Sequence, residues 1–298
     1  QRRRKGVNHR LQGGREPGSD FAGLAAGEVL VGIRAQALAA DRRAASGTIA
    51  ALGPGSAWRA GDRLVLVGAA GDDISDTFAG PQAGLTLLPP GISFEVGALA
   101  AAMLAAPYRA LLSRGGLVPT ESVGVFACGG SGLYAVPLAV ALAAVHVIGV
   151  DVHSAALDRA RRLGADLVLD PRPIDASRAI RAHTAGPNRP GGLDLALVTG
   201  EAAEWLDLAQ ACLAPGGRVV LAGAGGSVPL AAGNLIAVEQ SVVGVGEPDA
   251  ADLEAVLALI AAGRFDVGGL VPPRFALANI AAARAAVSAD TPCVLVRP

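Results

Sequence analysis

Between residues 122 and 245, short and almost wholly apolar runs alternate with helical stretches of about ten residues. The runs are 122–126, 145–150, 166–169, 193–198, 218–222 and 241–245. The stretches between them include a glycine-led helix reaching about Ala144, then 155–163, 174–183 and 201–213. Strands separated by helices do not pair as hairpins; they form βαβ units, and the sheet they make is parallel. Helices cover both faces of such a sheet, so its strands lack the polar alternate positions of a half-exposed strand. The predicted class is α/β, with a doubly wound parallel sheet.

The flanks have a different texture. Residues 28–35 (EVLVGIRA) alternate apolar and polar positions, the sign of a half-buried strand. A second strand, 48–52, stops at Gly53-Pro54-Gly55, and the turn Gly61-Asp62-Arg63 opens a third at 64–67. A polar loop over 71–76 and the Pro-rich Leu87-Leu88-Pro89-Pro90-Gly91 follow, which is the pattern of a small all-β unit. A helix is predicted over 94–112. Beyond the alternating middle, 249–262 reads as a helix with Asp249, Asp252 and Glu254 at its positive end and Gly263 as its stop. Residues 292–296 are strand-like again. A β head and a β tail around an α/β middle imply one discontinuous domain interrupted by a second.

Composition narrows the function. A chain of 298 residues has room for two domains. With 52% hydrophobic and 17% charged residues it buries a core rather than staying disordered. No stretch of roughly 18 apolar residues runs without Gly, Pro or polar interruption, so the apolar content is expected in a soluble interior and no membrane partner is expected. The basic start Gln1-Arg2-Arg3-Arg4-Lys5 has no apolar segment after it; it reads as a solvated tail rather than a secretory signal, and a cytoplasmic protein is expected. Twenty-five basic residues against 26 acidic ones exclude a dedicated nucleic-acid binder. Lys5 is the only lysine and lies outside any glycine motif, which excludes a P-loop and a pyridoxal Schiff base. Cys128, Cys212 and Cys293 are far apart and form no C-x-x-C, so neither a disulfide framework nor a zinc knuckle is expected. His146 and His153 have no second ligand at helical or turn spacing, and no metal site is expected from them.

The chemistry lies in the segment from Val123 to Leu133: a strand, the glycine-rich turn Ala127-Cys128-Gly129-Gly130-Ser131-Gly132, and a helix start. Set against G-x-G-x-x-G, the three glycine places hold Ala127, Gly129 and Gly132. The second place lets the backbone approach a pyrophosphate, and the third lets helix and strand pack closely. The helix N-terminus offers N–H groups and partial positive charge to the phosphates. Asp151 ends the next strand, 19 residues after Gly132. A carboxylate there accepts hydrogen bonds from adenosine ribose hydroxyls and repels a 2′-phosphate, which favours NAD(H) over NADP(H). Cys128 to Leu133 and Asp151 are thus the candidate cofactor residues. Thr199-Gly200 and Ala222-Gly223-Ala224 join them, because they follow the next two strands at the carboxyl ends where open α/β sheets bind ligands. Two residues depart from the pattern: Ala127 replaces the first glycine, and Pro137 falls inside the first helix, where an unkinked helix would lose about 3 kcal/mol.

In these motifs the sequence resembles the medium-chain dehydrogenase/reductase superfamily, the alcohol dehydrogenase and quinone reductase group. The likeness runs from about Glu28 to Pro298. It is carried by Gly27-Glu28-Val29-Leu30-Val31, Leu52-Gly53-Pro54-Gly55, Ala60-Gly61-Asp62-Arg63-Leu64-Val65 and Leu88-Pro89-Pro90-Gly91-Ile92-Ser93-Phe94-Glu95. Tyr108-Arg109-Ala110-Leu111, the glycine turn, Arg162-Leu163-Gly164-Ala165-Asp166, Leu213-Ala214-Pro215-Gly216-Gly217-Arg218 and Val294-Leu295-Val296 continue it in order. The resemblance implies a Rossmann domain, 105–246, inserted in a discontinuous GroES-like substrate domain, 1–104 and 247–298. It also implies a cofactor in the cleft between them and a homodimer formed through the last parallel strand, 241–245.

Zinc members of that family carry a Cys after the first strand, then a Gly-His-Glu, and often a four-cysteine lobe. This chain runs from Ala37 through Asp41 to Gly47-Thr48-Ile49 with none of these, so catalytic and structural zinc are both expected to be absent. The implied function is a zinc-independent, NAD(H)-dependent oxidoreductase acting on a small carbonyl, alcohol or enone. The alternative is a nucleotide-binding member without redox activity: a scaffold, a partner subunit or a repurposed enzyme. Tyr108 is the candidate catalytic residue, as a proton donor to the substrate oxygen, or else a core aromatic at the domain junction. Asp41 is either a stand-in at the missing ligand segment or a solvated turn residue. Ser131 and Tyr134 shape the turn, and Cys128 is either a reactive thiol or a small packing residue.

Overall fold

The computed structural model describes residues 24–40, 42–67, 76–82, 84–187, 189–223, 226–230, 232–288 and 290–298. Asp41, Ala224 and most of the expected loop at 71–76 lie outside the described residues. In chain order the elements are β1 (Glu28–Ala39), β2 (Arg43–Leu52), β3 (Arg63–Val67), β4 (Thr77–Pro81) and β5 (Leu85–Leu87), followed by a long helix α1 (Phe94–Ser113). Then come β6 (Ser122–Phe126), α2 (Gly132–Ala141), β7 (His146–Val150), α3 (Ser154–Arg162), β8 (Leu167–Leu169) and α4 (Ala176–Thr184). The series continues with β9 (Leu193–Val198), α5 (Ala202–Cys212), β10 (Leu213–Leu221), α6 (Ala232–Ala237) and β11 (Ser241–Gly244). It ends with α7 (Ala250–Ala261), β12 (Arg274–Ala276), α8 (Ile280–Ala286) and β13 (Cys293–Arg297).

The middle of the chain forms a six-stranded sheet in the order β11-β10-β9-β6-β7-β8, with every pairing parallel. The strand order reverses between β6 and β9, the first and fourth strands of this sheet. The carboxyl ends of those two strands therefore flank the crevice in which doubly wound sheets bind ligands. β6 is buried at all five positions, as expected for a strand covered on both faces.

The flanks meet in a seven-stranded sheet in which β1 pairs with β2, β4 and β13. All its pairings are antiparallel except β12 with β13. β1 and β2 are longer than the sequence pattern implies and form one hairpin; Leu38 already pairs with Arg43, and Ala39 N–H bonds Arg42 O at 2.9 Å. Only residues 40–42 connect them.

α1 lies between the two sheets. Its Ser93 cap accepts from Val96 N–H, and Ser46 Oγ donates to Phe94 O at 2.5 Å. One apolar cluster runs from Ala35 and Val65 of the antiparallel sheet through Leu99, Leu104 and Leu111 of α1 to Val123 and Val125 of β6. The position between 104 and 105 falls inside this helix. α1 is long and apolar enough to cross a bilayer by length and composition, where the sequence reading finds no such stretch. The helix continues through Gly97 and Pro107 by widening into π-helical turns at Ala100–Leu104 and Arg109–Ser113. Two-thirds of its apolar window is packed inside the fold, which makes it a core helix.

Candidate functional site

The turn after β6 is built from main-chain geometry. Ala127 takes a left-handed conformation, φ 57°, in the place where a glycine would carry no strain. Cys128 N–H stays in the sheet, bonding Val150 O at 3.3 Å. Gly129 N–H bonds Asp151 Oδ2 at 2.9 Å. Gly130 is again left-handed, φ 49°, and the space a Cβ would fill there is open. The N–H groups of Leu133 and Tyr134 bond back to Gly130 O and Ser131 O. Helix geometry leaves those of Ser131 and Gly132 without an acceptor, at the positive end of the ten-residue α2. These are the donors a pyrophosphate uses. α2 continues through Pro137 to Ala141 without a break.

Close packing then fixes the turn against the neighbouring strand. A Cβ on Gly132 would lie 2.6 Å from both Ala127 O and Thr199 Oγ. Thr199 Oγ donates to Ala127 O at 2.8 Å, which locks the end of β9 to the turn. A Cβ on Gly200 would meet the Ala127 methyl at 2.7 Å, and one on Gly223 would meet Gly200 O at 1.9 Å. The fold therefore brings Gly129, Gly130, Ser131, Gly132, Thr199, Gly200 and Gly223 to one place. Leu133 points away from this face and lines a cavity of about 380 Å³ with Tyr134, Arg159, Arg162 and segments 269–273 and 290–293.

Asp151 is buried, and both its oxygens are engaged: Oδ2 by Gly129 N–H, Oδ1 by His153 N–H at 2.9 Å and His153 Nδ1 at 3.0 Å. Oδ2, with a single partner, retains a second lone pair for a ribose hydroxyl. The His153 contact is not legible from spacing, although a histidine two residues after a strand-ending aspartate is its local signal. Arg172, from the turn after β8, also comes close; its Nη2 donates to Val152 O at 2.6 Å. The same guanidinium holds the Asp170 carboxyl down to about 2 through paired contacts, the shortest 2.6 Å.

The remaining candidates stand elsewhere. Tyr108 is half-buried in α1, and its phenol is pushed above the ordinary tyrosine value by desolvation and by Asp252. Asp252 is itself buried at the start of α7 and bonds Arg109 at 2.7 Å and Ser113 at 2.5 Å. Cys128, Cys212 and Cys293 are all fully buried, and burial pushes each thiol up to about 12. Cys128 is thus a packing residue under Gly149 rather than a reactive thiol. No cysteine or histidine of the described residues supplies a ligand set near the crevice, and the short β1–β2 connection leaves little chain to hold one. Among the described residues the crevice brings together no cysteine and histidine set of the kind a catalytic zinc takes. The residues present do fit a dinucleotide: two unaccepted N–H groups, an open glycine and a carboxylate at the end of the next strand.

Residues 130–262 match the family model described as zinc-binding dehydrogenase. An alcohol dehydrogenase of Geobacillus stearothermophilus is 32% identical over 136 residues, 46% of this chain and 38% of that protein. An NAD-dependent alcohol dehydrogenase of Sulfurisphaera tokodaii is 30% identical over 163 residues, 53% of this chain and 44% of that protein. The chain thus spans about half the length, or less, of these curated relatives. In fold it is similar to the crystal structure of 2R,3R-butanediol dehydrogenase from Bacillus subtilis, with TM-score 0.79, 20% identity, and 97% and 96% of the two chains covered.

Proposed function

We propose that the chain, which is similar to the medium-chain dehydrogenase/reductase superfamily and has a Rossmann-type parallel sheet inserted in a GroES-like β unit, is a zinc-independent, NAD(H)-dependent oxidoreductase of small carbonyls, alcohols or enones. The observation that carries this reading is the turn from Ala127 to Gly132 at the reversal point of the parallel sheet, with Asp151 beside it. The N–H groups of Ser131 and Gly132 bind the pyrophosphate. Asp151 accepts from the adenosine ribose and disfavours a 2′-phosphate, while Arg172 is committed to Asp170. Thr199, Gly200 and Gly223 line the crevice on the far side of the turn. When bound, NAD(H) supplies hydride exchange at its nicotinamide. Tyr108 holds its proton at neutral pH and presents it to the substrate oxygen in a cleft between residues 105–246 and the unit formed by 1–104 and 247–298. The edge strand β11 is the proposed contact of a homodimer, since an unpaired edge invites pairing; a monomer mass by light scattering at micromolar concentration would refute it.

The test is calorimetric titration with NADH and NADPH, followed by a turnover screen against aldehydes, ketones, quinones and enones. NADH is expected to bind more tightly than NADPH, and turnover is expected to survive chelators. Tyr108→Phe should lower the rate by about 10²-fold while leaving NADH affinity unchanged. A second reading, nucleotide binding without redox chemistry, is favoured by one feature: desolvation raises the Tyr108 phenol, which makes it a weaker acid. Tight NADH binding with no turnover across the screen supports that reading; failure to bind NADH sinks both.

A further inference from the structure

At the amino ends of the parallel strands, opposite the cofactor turn, three side chains far apart in sequence converge. His146 begins β7, Asp166 immediately precedes β8, and His183 lies in the last turn of α4. His146 Nδ1 stands 2.9 Å from Asp166 Oδ2, and His183 Nε2 stands 3.0 Å from the same oxygen. The ligand atoms all lie within 4.8 Å of one another. Among the described residues no other group of three His, Cys, Asp or Glu side chains brings ligand atoms so close.

We propose that His146, Asp166 and His183 form a binding site for a divalent transition-metal cation of the zinc class, separate from the cofactor crevice. Two imidazoles and one carboxylate match the donor preference of zinc, cobalt(II) and nickel(II), and a fourth position stays open to water. Zinc–nitrogen and zinc–oxygen bonds of about 2.0–2.2 Å at tetrahedral angles set ligand atoms roughly 3.3 Å apart, so each imidazole nitrogen needs to move only a few tenths of an ångström from Asp166 Oδ2, and the two nitrogens already lie within 4.8 Å of each other. The carboxylate is already oriented: Val147 N–H holds Asp166 Oδ1 at 2.8 Å and turns Oδ2 towards both rings. The rings meet edge to face, centroids 4.9 Å apart and planes at 63°, so their nitrogens approach from different directions as a tetrahedral site requires. The side chains are 29%, 37% and 31% exposed, which leaves the site reachable from solvent. Spacing in sequence hides this group, since its members lie 17 to 37 positions apart; the pairing of β7 with β8 sets His146 beside Asp166, and α4 brings His183 to them.

A metal here ties β7, β8 and α4 and stabilises the folded state by mass action. The experiment uses the chain without an affinity tag, stripped with a chelator and titrated with Zn²⁺ by calorimetry and with Co²⁺ by absorption. One equivalent per chain is expected, with a rise in Tm and a cobalt spectrum free of thiolate charge transfer. His183→Gln and Asp166→Asn should each weaken Zn²⁺ binding roughly 10-fold or more; Asp166→Asn keeps the acceptor for Val147 N–H, so the fold is retained. Neither should change NADH affinity, which keeps this result independent of the cofactor reading. Substoichiometric binding, binding that both variants leave intact, or a thiolate band in the cobalt spectrum of the wild type would overturn the site.

Discussion

The turn at Ala127–Gly132 and the rim of the antiparallel sheet are held in contrasting ways. The turn is positioned by main-chain groups in contact: Gly132 against Ala127 O and Thr199, Gly129 on Asp151, Gly200 against Ala127. The rim is fastened by long side chains reaching across space. Glu95 at the start of α1 receives Arg274 of β12 at 2.9 Å and Arg297 of β13 at 2.5 Å. A contact between backbones has no slack, so one added methyl is felt in full. Ion pairs with half-exposed arginine heads have slack, and they respond to protons instead. The turn is therefore rigid, and the rim is adjustable.

Gly132→Val strikes the contrast hardest. Its side chain would enter space 2.6 Å from two oxygens and cover the donors of Ser131 and Gly132. Loss of measurable NADH binding by calorimetry is expected, with circular dichroism showing that the parallel half still forms; a variant that binds NADH normally would show the turn is not the site. Asp151→Ala removes the acceptor for Gly129 and His153 and should weaken NADH by about 10–10²-fold, with NADPH weakened less. Equal losses for both cofactors would assign Asp151 to turn support alone.

Glu95→Gln probes the rim. Hydrogen bonding from Arg297, with that from Arg274, outweighs desolvation and holds the Glu95 carboxyl below its ordinary value. A folded value below the unfolded one adds stability above the unfolded pKa, and that stability is lost as pH falls through the folded pKa. The variant should cost about 1–2 kcal/mol at pH 7, the screened arginine heads limiting the figure, and the gap from wild type should close below pH 4. A gap constant with pH in denaturant titrations would assign Glu95 a packing role only. The smallest effect is expected from Ala127→Gly. Relief of a left-handed alanine slightly exceeds the entropy glycine adds to the unfolded chain, so a gain of about 0.5 kcal/mol and unchanged NADH affinity are expected.

Local signals were legible and long-range ones were not. β6 and β9 follow their apolar runs residue for residue, because a strand buried on both faces has no competing pattern. The turn and Asp151 are read from about 25 consecutive residues. β4, β5, β12 and α8 escape, being three to seven residues long, too short for any periodicity to accumulate. β10 begins at Leu213, earlier than its apolar run, since Leu213 pairs with Leu193 before a register shift at Pro215-Gly216-Gly217. The π-helical turns of α1 have no composition of their own. Arg172 beside Val152 and His183 beside His146 depend on how strands align, which spacing within one segment does not encode.

The pairing of β1 with β13 has a consequence in time. Ala39 stands opposite Cys293, and the ribosome makes the second about 250 residues after the first. At 5–20 residues per second, β1 waits roughly 10–50 seconds for that partner. During the wait it can pair with β2 and β4, but the edge meant for β13 is open to any other strand. The parallel sheet, whose neighbours arrive promptly, can close meanwhile. Synthesis therefore leaves a half-finished sheet on display beside a completed one, and slowed translation after α7 prolongs that exposure.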